Sequence, residues 1–281
     1  MSQLNHKIDF VALASVTMAN SNGDPLNGNR PRTDYNGFGE ISDVCIKRKL
    51  RNRLQDLGQC IFVQSEDRCD DECKSLSERA SKAVGKMKDR EEYARLACEK
   101  WMDVRSFGQV FAFRSTDKNG VSVGVRGPVS IHQGVSISPV EVESMQITKS
   151  VNGEPSEKRS SDTMGTKHFV RYGLYQIKGA INVQLAGKTG FSEEDAALIK
   201  EALRTLFEND ASSARPEGSM EIYRLYWWEH NCASGQYPSA KVHRSVQVKL
   251  KNGVEQAEKP EDYEITVEEL PGLTCEILDG V

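Results

Sequence analysis

At 281 residues the chain is long enough to bury a real core, and one elaborated domain is expected. No apolar run approaches the roughly 20 residues of a membrane span, and the opening MSQLNHKIDF lacks the basic-then-apolar order of a secretory signal, so a cytoplasmic protein with no membrane association is expected. The formal net charge of -4 excludes a protein that is basic all over, and seven cysteines, an odd number scattered along the chain, fit reduced thiols better than a disulfide framework.

The first predicted element is HKIDFVALASVTMA, where Ile8, Phe10, Ala12 and Ala14 alternate with Asp9, Val11 and Leu13. That pattern predicts a strand buried on much of both faces. The stretch ANSNGDPLNGNRPRTDYNGFG follows, with five asparagines, four glycines and only three side chains suited to a core. Asparagine and glycine tolerate positive φ, proline sets φ, and glycine lets a ligand backbone come close. Asn20, Asn22, Asn27 and Asn29 offer amides, while Arg30 and Arg32 offer forked donors suited to phosphate. A flexible polar cradle for a nucleic-acid backbone and a mobile surface connection both fit this composition. A calcium loop does not, because Asp24 through Asn29 lacks the ligand spacing and the terminal glutamate.

The next segment, ISDVCIKRKLRNRLQDLG, predicts a helix with Ser42 as N-cap, Gly58 as its stop, and an apolar stripe of Ile46, Leu50, Leu54 and Leu57. It carries Lys47, Arg48, Lys49, Arg51 and Arg53 with no acid between Asp43 and Asp56. Lys47 with Arg51, and Lys49 with Arg53, are like charges at i,i+4, each pair costing a few tenths of a kcal/mol in an isolated helix. A solvated face is the ordinary explanation of such a run. A polyanion is the sharper one, since neutralising phosphates releases counterions and rewards the arrangement.

Residues 64–103 are densely charged, with Leu76, Ala83 and Met87, then Tyr93, Leu96 and Trp101, at helical spacing, which predicts a helical insertion. VRSFGQVFAF and GVSVGVRGPVSI read as strands about the turn TDKNG. MQITKSV and TMGTKHFV flank VNGEPSEKRSSD, an Asn-Gly turn signal with no apolar residue after Val151, which predicts a projecting hairpin. Tyr175, Ile177, Gly179, Ile181, Val183 and Leu185 then alternate as one long strand. In FSEEDAALIKEALRTLFEND, Ser192 and Asp195 form a capping pair ahead of a stripe of Ile199, Ala202, Leu203 and Leu206. MEIYRLYWW and SAKVHRSVQVKL read as further strands, Tyr226, Trp227 and Trp228 being mostly core. From Gly253 onward nine acids face one lysine, and this segment is expected to be loosely ordered.

The core order is therefore strand, helix, two strands, an excursion, strand, helix, strand, which is the split βαβ arrangement of ferredoxin-like and RNA-recognition folds. The fold class expected is α+β.

NSNGDPLNGNRPRTD, SDVCIKRKLRN, and DVRSFGQVFAF followed by GVRGPVSI together resemble the backbone subunit of a CRISPR Cascade complex, most closely the type I-C form, over residues 7–250. This family belongs to the repeat-associated RNA-binding superfamily. The resemblance implies a modified RRM-like, ferredoxin-like palm with a helical fingers insertion and a β-hairpin thumb. The palm would fall on 1–59, 104–138 and 169–250, the fingers on 60–103, the thumb on 139–168, and an acidic C-terminal segment on 251–281. It implies a non-catalytic subunit that polymerises along the CRISPR guide RNA, with copies of itself, guide-processing, large and small Cascade subunits, and target DNA paired to the guide as partners.

Carried over position by position, the family's basic first-helix motif falls on Ser42 to Arg51, which implies phosphate contacts by Lys47 and Arg51, then Lys49 and Arg48. The asparagine-rich loop implies RNA contacts at Asn20, Asn22, Arg30 and Arg32, and the G-V-R-G loop one at Arg126. In the thumb, which in the family inserts between stacked bases, Met145 and Met164 are the implied wedges and Lys149, Lys167 and His168 the implied guide contacts. A guide-holding protein must grip phosphates and sugars and leave base edges free, and these residue types do that. RSFGQVFAF departs from the RNP1 pattern at Ser106, Gln109 and Ala112, which argues against base stacking on the sheet face.

An RNA-cleaving endoribonuclease of the same superfamily is the competing class, using a histidine or a loop aspartate with metal. Asp24 and Asp34 stand in such a loop without a second acid beside either, and the five histidines are spread widely. Cys60, Cys69 and Cys73 lack close C-x2-C spacing and a nearby histidine, so no metal and no cofactor are expected. A homo-oligomeric scaffold without nucleic acid is the third class.

Overall fold

The structure, a computed structural model, describes residues 2–85, 89–112, 122–148 and 164–281. Met87, the turn TDKNG, the segment VNGEPSEKRSSD and Lys149 lie outside the described residues.

Strand β1 (Ile8–Ala19) is followed by a miniature hairpin, β2 (Gly23–Asp24) and β3 (Arg30–Pro31), then β4 (Phe38–Ile41) and helix α1 (Asp43–Asp56). Helices α2 (Leu76–Ala83), α3 (Arg90–Lys100) and α4 (Met102–Phe107) lead to β5 (Gln109–Phe111), which pairs with β6 (Val123–Val125). β7 (Val129–Ile131), β8 (Gly134–Pro139) and β9 (Val142–Thr148) precede the 18-residue β10 (Met164–Ile181). The chain continues through α5 (Val183–Thr189), α6 (Glu193–Arg204), β11 (Met220–Glu229) and α7 (Ser239–Ser245), and ends in β12 (Val246–Leu250), β13 (Tyr263–Val267) and β14 (Cys275–Asp279).

The main sheet runs β14-β11-β1-β10-β8-β4, with β7 and β9 also on β10, and every pairing in it is antiparallel. β1 and β10 are its centre, in register from Ile8↔Ile181 to Ala19↔Val170. Because side chains alternate along a strand, β1 serves two cores. Phe10, Ala12 and Ala14 meet the buried stripes of α1 (Ile46, Leu50, Leu54) and α6 (Ile199, Ala202, Leu203). Val11 and Leu13 point to the opposite face, where Val242, Val246, Tyr263, Leu270 and Leu273 cover them. A third cluster of Phe62, Ala80, Ala97, Cys98, Trp101, Val104, Phe111 and Val123 belongs to the helical insertion and to β5 and β6.

Local signals set the helix ends as expected. The Ser42 side chain accepts from Cys45 N, and the Ser192–Asp195 capping box opens α6. Three stretches expected as strand are helix instead. Residues 104–107, expected to open the strand VRSFGQVFAF, instead complete α4, which buries Met102, Asp103 and Val104 over a length at which apolar spacing does not separate helix from strand. After Ile181 the Asn182 side chain accepts from Leu185 N at 2.9 Å and starts α5, so Val183 and Leu185 leave the strand despite their alternation. Ser239–Ser245 is α7, which buries Val242 and His243 before β12 begins.

The acidic C-terminal segment is also ordered, contrary to expectation. β12 and β13 form a hairpin, and β14 joins the main sheet beside β11. Ala257, Tyr263, Leu270 and Leu273 of this segment are buried in closing the second face, and its acids stay largely outside.

Candidate nucleic-acid interface

The asparagine-rich segment folds as a fixed, tight structure and not as the flexible cradle expected. Gly23↔Pro31 and Asp24↔Arg30 pair β2 with β3, and the Asp24 carboxylate accepts from Leu26 N at 3.2 Å to cap the turn between them. Gly28 and Asn29 both take φ of 59°, the left-handed conformation that glycine and asparagine accept most readily. Asn20 is buried, and its amide donates to Asn29 O at 2.6 Å, closing the segment on itself. The Asn22 carbonyl oxygen accepts from both the amide and the hydroxyl of Ser42, at 2.9 and 2.8 Å, so Asn22 and Ser42 together fix the start of α1. Asp34 is likewise a turn cap, accepting from Asn36 N and Phe38 N at 2.8 and 2.9 Å.

Arg30 leaves this miniature hairpin toward the projecting β9–β10 ribbon. Its NH1 donates to Ser144 Oγ at 2.8 Å and to His168 Nδ1 at 3.4 Å, and Ser144 Oγ lies 2.9 Å from the same nitrogen. A guanidinium can only donate, so Nδ1 accepts and the imidazole carries its proton on Nε2. Among the described residues no carboxylate lies within ion-pair distance of Arg30. Arg32 is half-exposed, with NH2 3.3 Å from Asp24.

The ribbon pairs Met164↔Thr148 through Val170↔Val142. Alternation puts Met145, Ile147 and Lys167 on one face and Ser144, His168 and Met164 on the other. The two methionines expected as wedges are 50% and 65% exposed and therefore point to opposite sides of one ribbon. Lys167 and His168 are half-buried, and among the described residues Lys167 has no ion-pair partner. Arg126 is exposed on the loop after β6. That loop is wedged against the end of α4, where a Cβ on Gly127 would stand 2.2 Å from Ser106 O and one on Gly108 2.4 Å from Val125 O.

The basic face of α1 is different in kind from a solvated surface. Lys47 pairs with Asp43 at 3.0 Å across one turn and is accessible from outside. Arg48 donates to Val63 O at 2.6 Å, and burial, with Arg51 nearby, holds its pKa below the usual arginine value. Lys49 is only 4% exposed, with its ammonium on the Asp210 carboxylate and 5.5 Å over the Phe207 ring; burial lowers its pKa against that pairing. Arg51 donates to Asp103 at 2.9 Å and lies over the Phe107 ring. Asp103 is fully buried and also accepts from Phe62 N and Val63 N. The acids that pair with Lys49 and Arg51, Asp210 and Asp103, are far from the helix in sequence, so no local pattern announces them.

Two groups tied to the competing class have structural occupations. His230 Nε2 lies 2.9 Å from Asp9 in the interior, and His243 Nε2 lies 2.9 Å from Gly179 O. Cys73 is buried, and Cys69 Sγ accepts from Arg79 at 3.4 Å. Tyr226, Trp227 and Trp228 are buried, and the second sheet face is covered by residues that follow β11. Ser144 and Tyr35, which stand among the candidate residues, were not singled out by sequence. Ser144 acquires its place only through cross-strand register.

The chain matches the family model of CRISPR-associated protein Cas7 over residues 6–268. A CRISPR-associated protein Cas7 of Haloferax volcanii is 26% identical over 243 residues, covering 80% of this chain and 70% of that protein. Among solved structures, a chain of a CRISPR RNA-guided surveillance complex, pre-nicking, superposes with a TM-score of 0.51 at 15% identity, over 89% of this chain and 84% of that chain. A chain of another CRISPR RNA-guided surveillance complex gives 0.49 at 15% identity, over 89% and 78%. At the identity of the first of these structures the likeness concerns fold: helices and strands arranged about one antiparallel sheet.

Proposed function

The chain belongs to the CRISPR-associated protein Cas7 family, and from that membership we propose that it is the guide-RNA-binding backbone subunit of a type I-C Cascade surveillance complex. Copies of it line up along the spacer of the CRISPR RNA in the cytoplasm and hold the guide for pairing with foreign double-stranded DNA. Guide-processing, large and small subunits complete the assembly, and this subunit cleaves nothing itself. The observation that carries the proposal is the family match, which runs through nearly the whole chain.

The architecture supports a modified RRM-like palm. Its central order, β11-β1-β10 flanked by β7 and β8, with α1 and α6 on one face, is the order a split βαβ unit builds. The separate core of the helical insertion favours the fingers assignment, and the exposed β9–β10 ribbon favours the thumb. RNA is gripped by the accessible cations Arg30, Arg32, Lys47, Arg126 and Lys167, by His168 through Nε2, and by Lys149. Asn20, Asn22 and Ser42 shape the loop and the helix end that present them. Lys49 and Arg51 act from behind by anchoring α1, since their charges are paired with Asp210 and Asp103, and Arg48 adds a tie to the Val63 carbonyl. Met145 and Met164 wedge bases from the two sides of the thumb. The cation contacts are to phosphate and sugar and the wedges meet base faces and not base edges, so any spacer sequence is accepted.

The test is fluorescence polarisation with labelled single-stranded RNA and duplex DNA of unrelated sequence across a salt series, with RNA integrity checked on a denaturing gel. Tight, sequence-indifferent, salt-sensitive binding of intact RNA is expected. Cleavage of the RNA would overturn the non-catalytic role, and absence of RNA binding would overturn the proposal altogether.

A further inference from the structure

Tyr35 is 107% exposed, more open than a tyrosine in an extended peptide, although the chain around it is closely held. Gly37 N donates to Asp34 O at 3.2 Å, and the Asp34 carboxylate accepts from Asn36 N and Phe38 N. Gly37 takes a φ of 83°, which suits glycine at the close of the turn. Gly37 O accepts from Val140 N at 2.9 Å, and Glu40 N donates to Arg32 O at 2.9 Å, which ties the turn to the corner between β8 and β9 and to the arginine strand. A single exposed apolar residue is unremarkable on most surfaces. Here five hydrogen bonds fix the backbone that presents an aromatic ring touching nothing else in the described chain.

The surroundings state what the ring is for. Arg32 stands three residues before it, and Arg30, with no carboxylate partner, stands at the foot of the adjoining ribbon. An accessible aromatic face beside cations that can follow a backbone is how single-stranded nucleic acid is held without regard to sequence, because every base has a π-face. We infer that Tyr35 is a stacking platform for an unpaired base of the bound RNA. The inference rests on the RNA-binding reading above and adds an aromatic base contact at the asparagine-rich segment, apart from the thumb.

The protein's own tryptophans, Trp101, Trp227 and Trp228, are all buried and so shielded from stacking on a bound base, and Tyr35→Trp adds an exposed, red-shifted reporter whose quenching is read as the difference from wild type. The probes are short uridine and adenosine oligoribonucleotides and an abasic ribose-phosphate strand of equal length. Tyr35→Ala is expected to weaken binding of both base-bearing oligonucleotides about 5- to 100-fold. Tyr35→Phe keeps the wild-type affinity, Tyr35→Ala leaves the abasic strand unaffected, and RNA quenches the Tyr35→Trp emission. All three variants keep the wild-type melting temperature, because the ring supports no packing. If the wild type binds RNA while Tyr35→Ala binds it equally well and Tyr35→Trp is not quenched, the platform is refuted and the RNA-binding reading stands. If the wild type binds no RNA, both fall. A Tyr35→Ala variant that loses self-association without RNA, at unchanged affinity for short RNA, would make the ring a contact between copies and would also refute the platform.

Discussion

Lys49 holds its ammonium against Asp210 in a site almost closed to water, and Arg215 shares the same carboxylate at 3.0 Å. Removing one member of a buried pair leaves an uncompensated charge, which costs about 3–5 kcal/mol, whereas an exposed i,i+4 pair contributes about 0.3–0.5 kcal/mol. Arg215 softens the first figure by continuing to face Asp210. Lys49→Ala is therefore expected to lower the urea unfolding free energy by about 2–4 kcal/mol, and Lys47→Ala by no more than about 0.5 kcal/mol. Equal losses from the two variants would remove the distinction between anchoring and accessible cations on α1. The sequence showed that five cations on one helix needed relief and could not show from where. For Arg51 and Lys49 relief came from carboxylates brought in by tertiary folding, Asp103 from α4 and Asp210 from the turn beyond α6, while Lys47 uses the local Asp43. A charge run is legible in a sequence, but its solvent exposure is not.

The GVRG loop and the end of α4 meet through glycines because backbone lies directly on backbone there. A Cβ at Gly127 would fall 2.2 Å from Ser106 O and 2.5 Å from Gly108 N, distances that backbone atoms cannot relieve by rotating a side chain. Gly127→Ala is expected to destabilise the protein by about 1–3 kcal/mol, as other overpacked sites do, and to loosen the loop that presents Arg126. Arg126→Ala, on the same loop but exposed, should leave the melting temperature unchanged and weaken RNA binding alone. A thermal melt of both variants checks this, and an unaltered melt for Gly127→Ala would show that the contact yields. At this scale the long patterned elements were legible: β1, α1, α6 and β11 stand where periodicity and caps put them. The misses were short. α4, α5 and α7 span 6 or 7 residues each, over which two spaced apolar residues suit either period. Alternation continues through Val183 and Leu185, but the Asn182 cap, which accepts from Leu185 N, decides the conformation.

Across the whole molecule, a buried polar cluster fastens β1 to the segment that closes the second sheet face. Lys7 Nζ and His230 Nε2 each lie 2.9 Å from Asp9, and His243 of α7 lies 3.6 Å from its other oxygen. This explains why the acidic end is ordered: α7 and the β12–β13 hairpin are held by a hydrophobic face as well as by this cluster, and the acids remain in solvent. The cluster also sets a pH dependence. Burial lowers the pKa of His243 below 6.5, and repulsion from the neighbouring His132 and Lys178 adds to this, while the Gly179 carbonyl and Asp9 oppose it in part. For Asp9, burial alone would raise the pKa, but hydrogen bonds from His230, Ser239 and Lys7 bring it below 3.8. In both cases the unfolded chain binds the proton first as pH falls, so folding stability decreases with falling pH. Loss is expected to begin below about pH 6.5 through His243 and to deepen below about pH 4 through Asp9. Urea midpoints measured from pH 8 down to pH 4 at constant ionic strength should show the first decline in the wild type. His243→Gln, whose amide can still donate to Gly179 O, should lack it. Parallel profiles for the two proteins would mean that His243 carries no such proton linkage, and that the second face is closed by its apolar contacts alone.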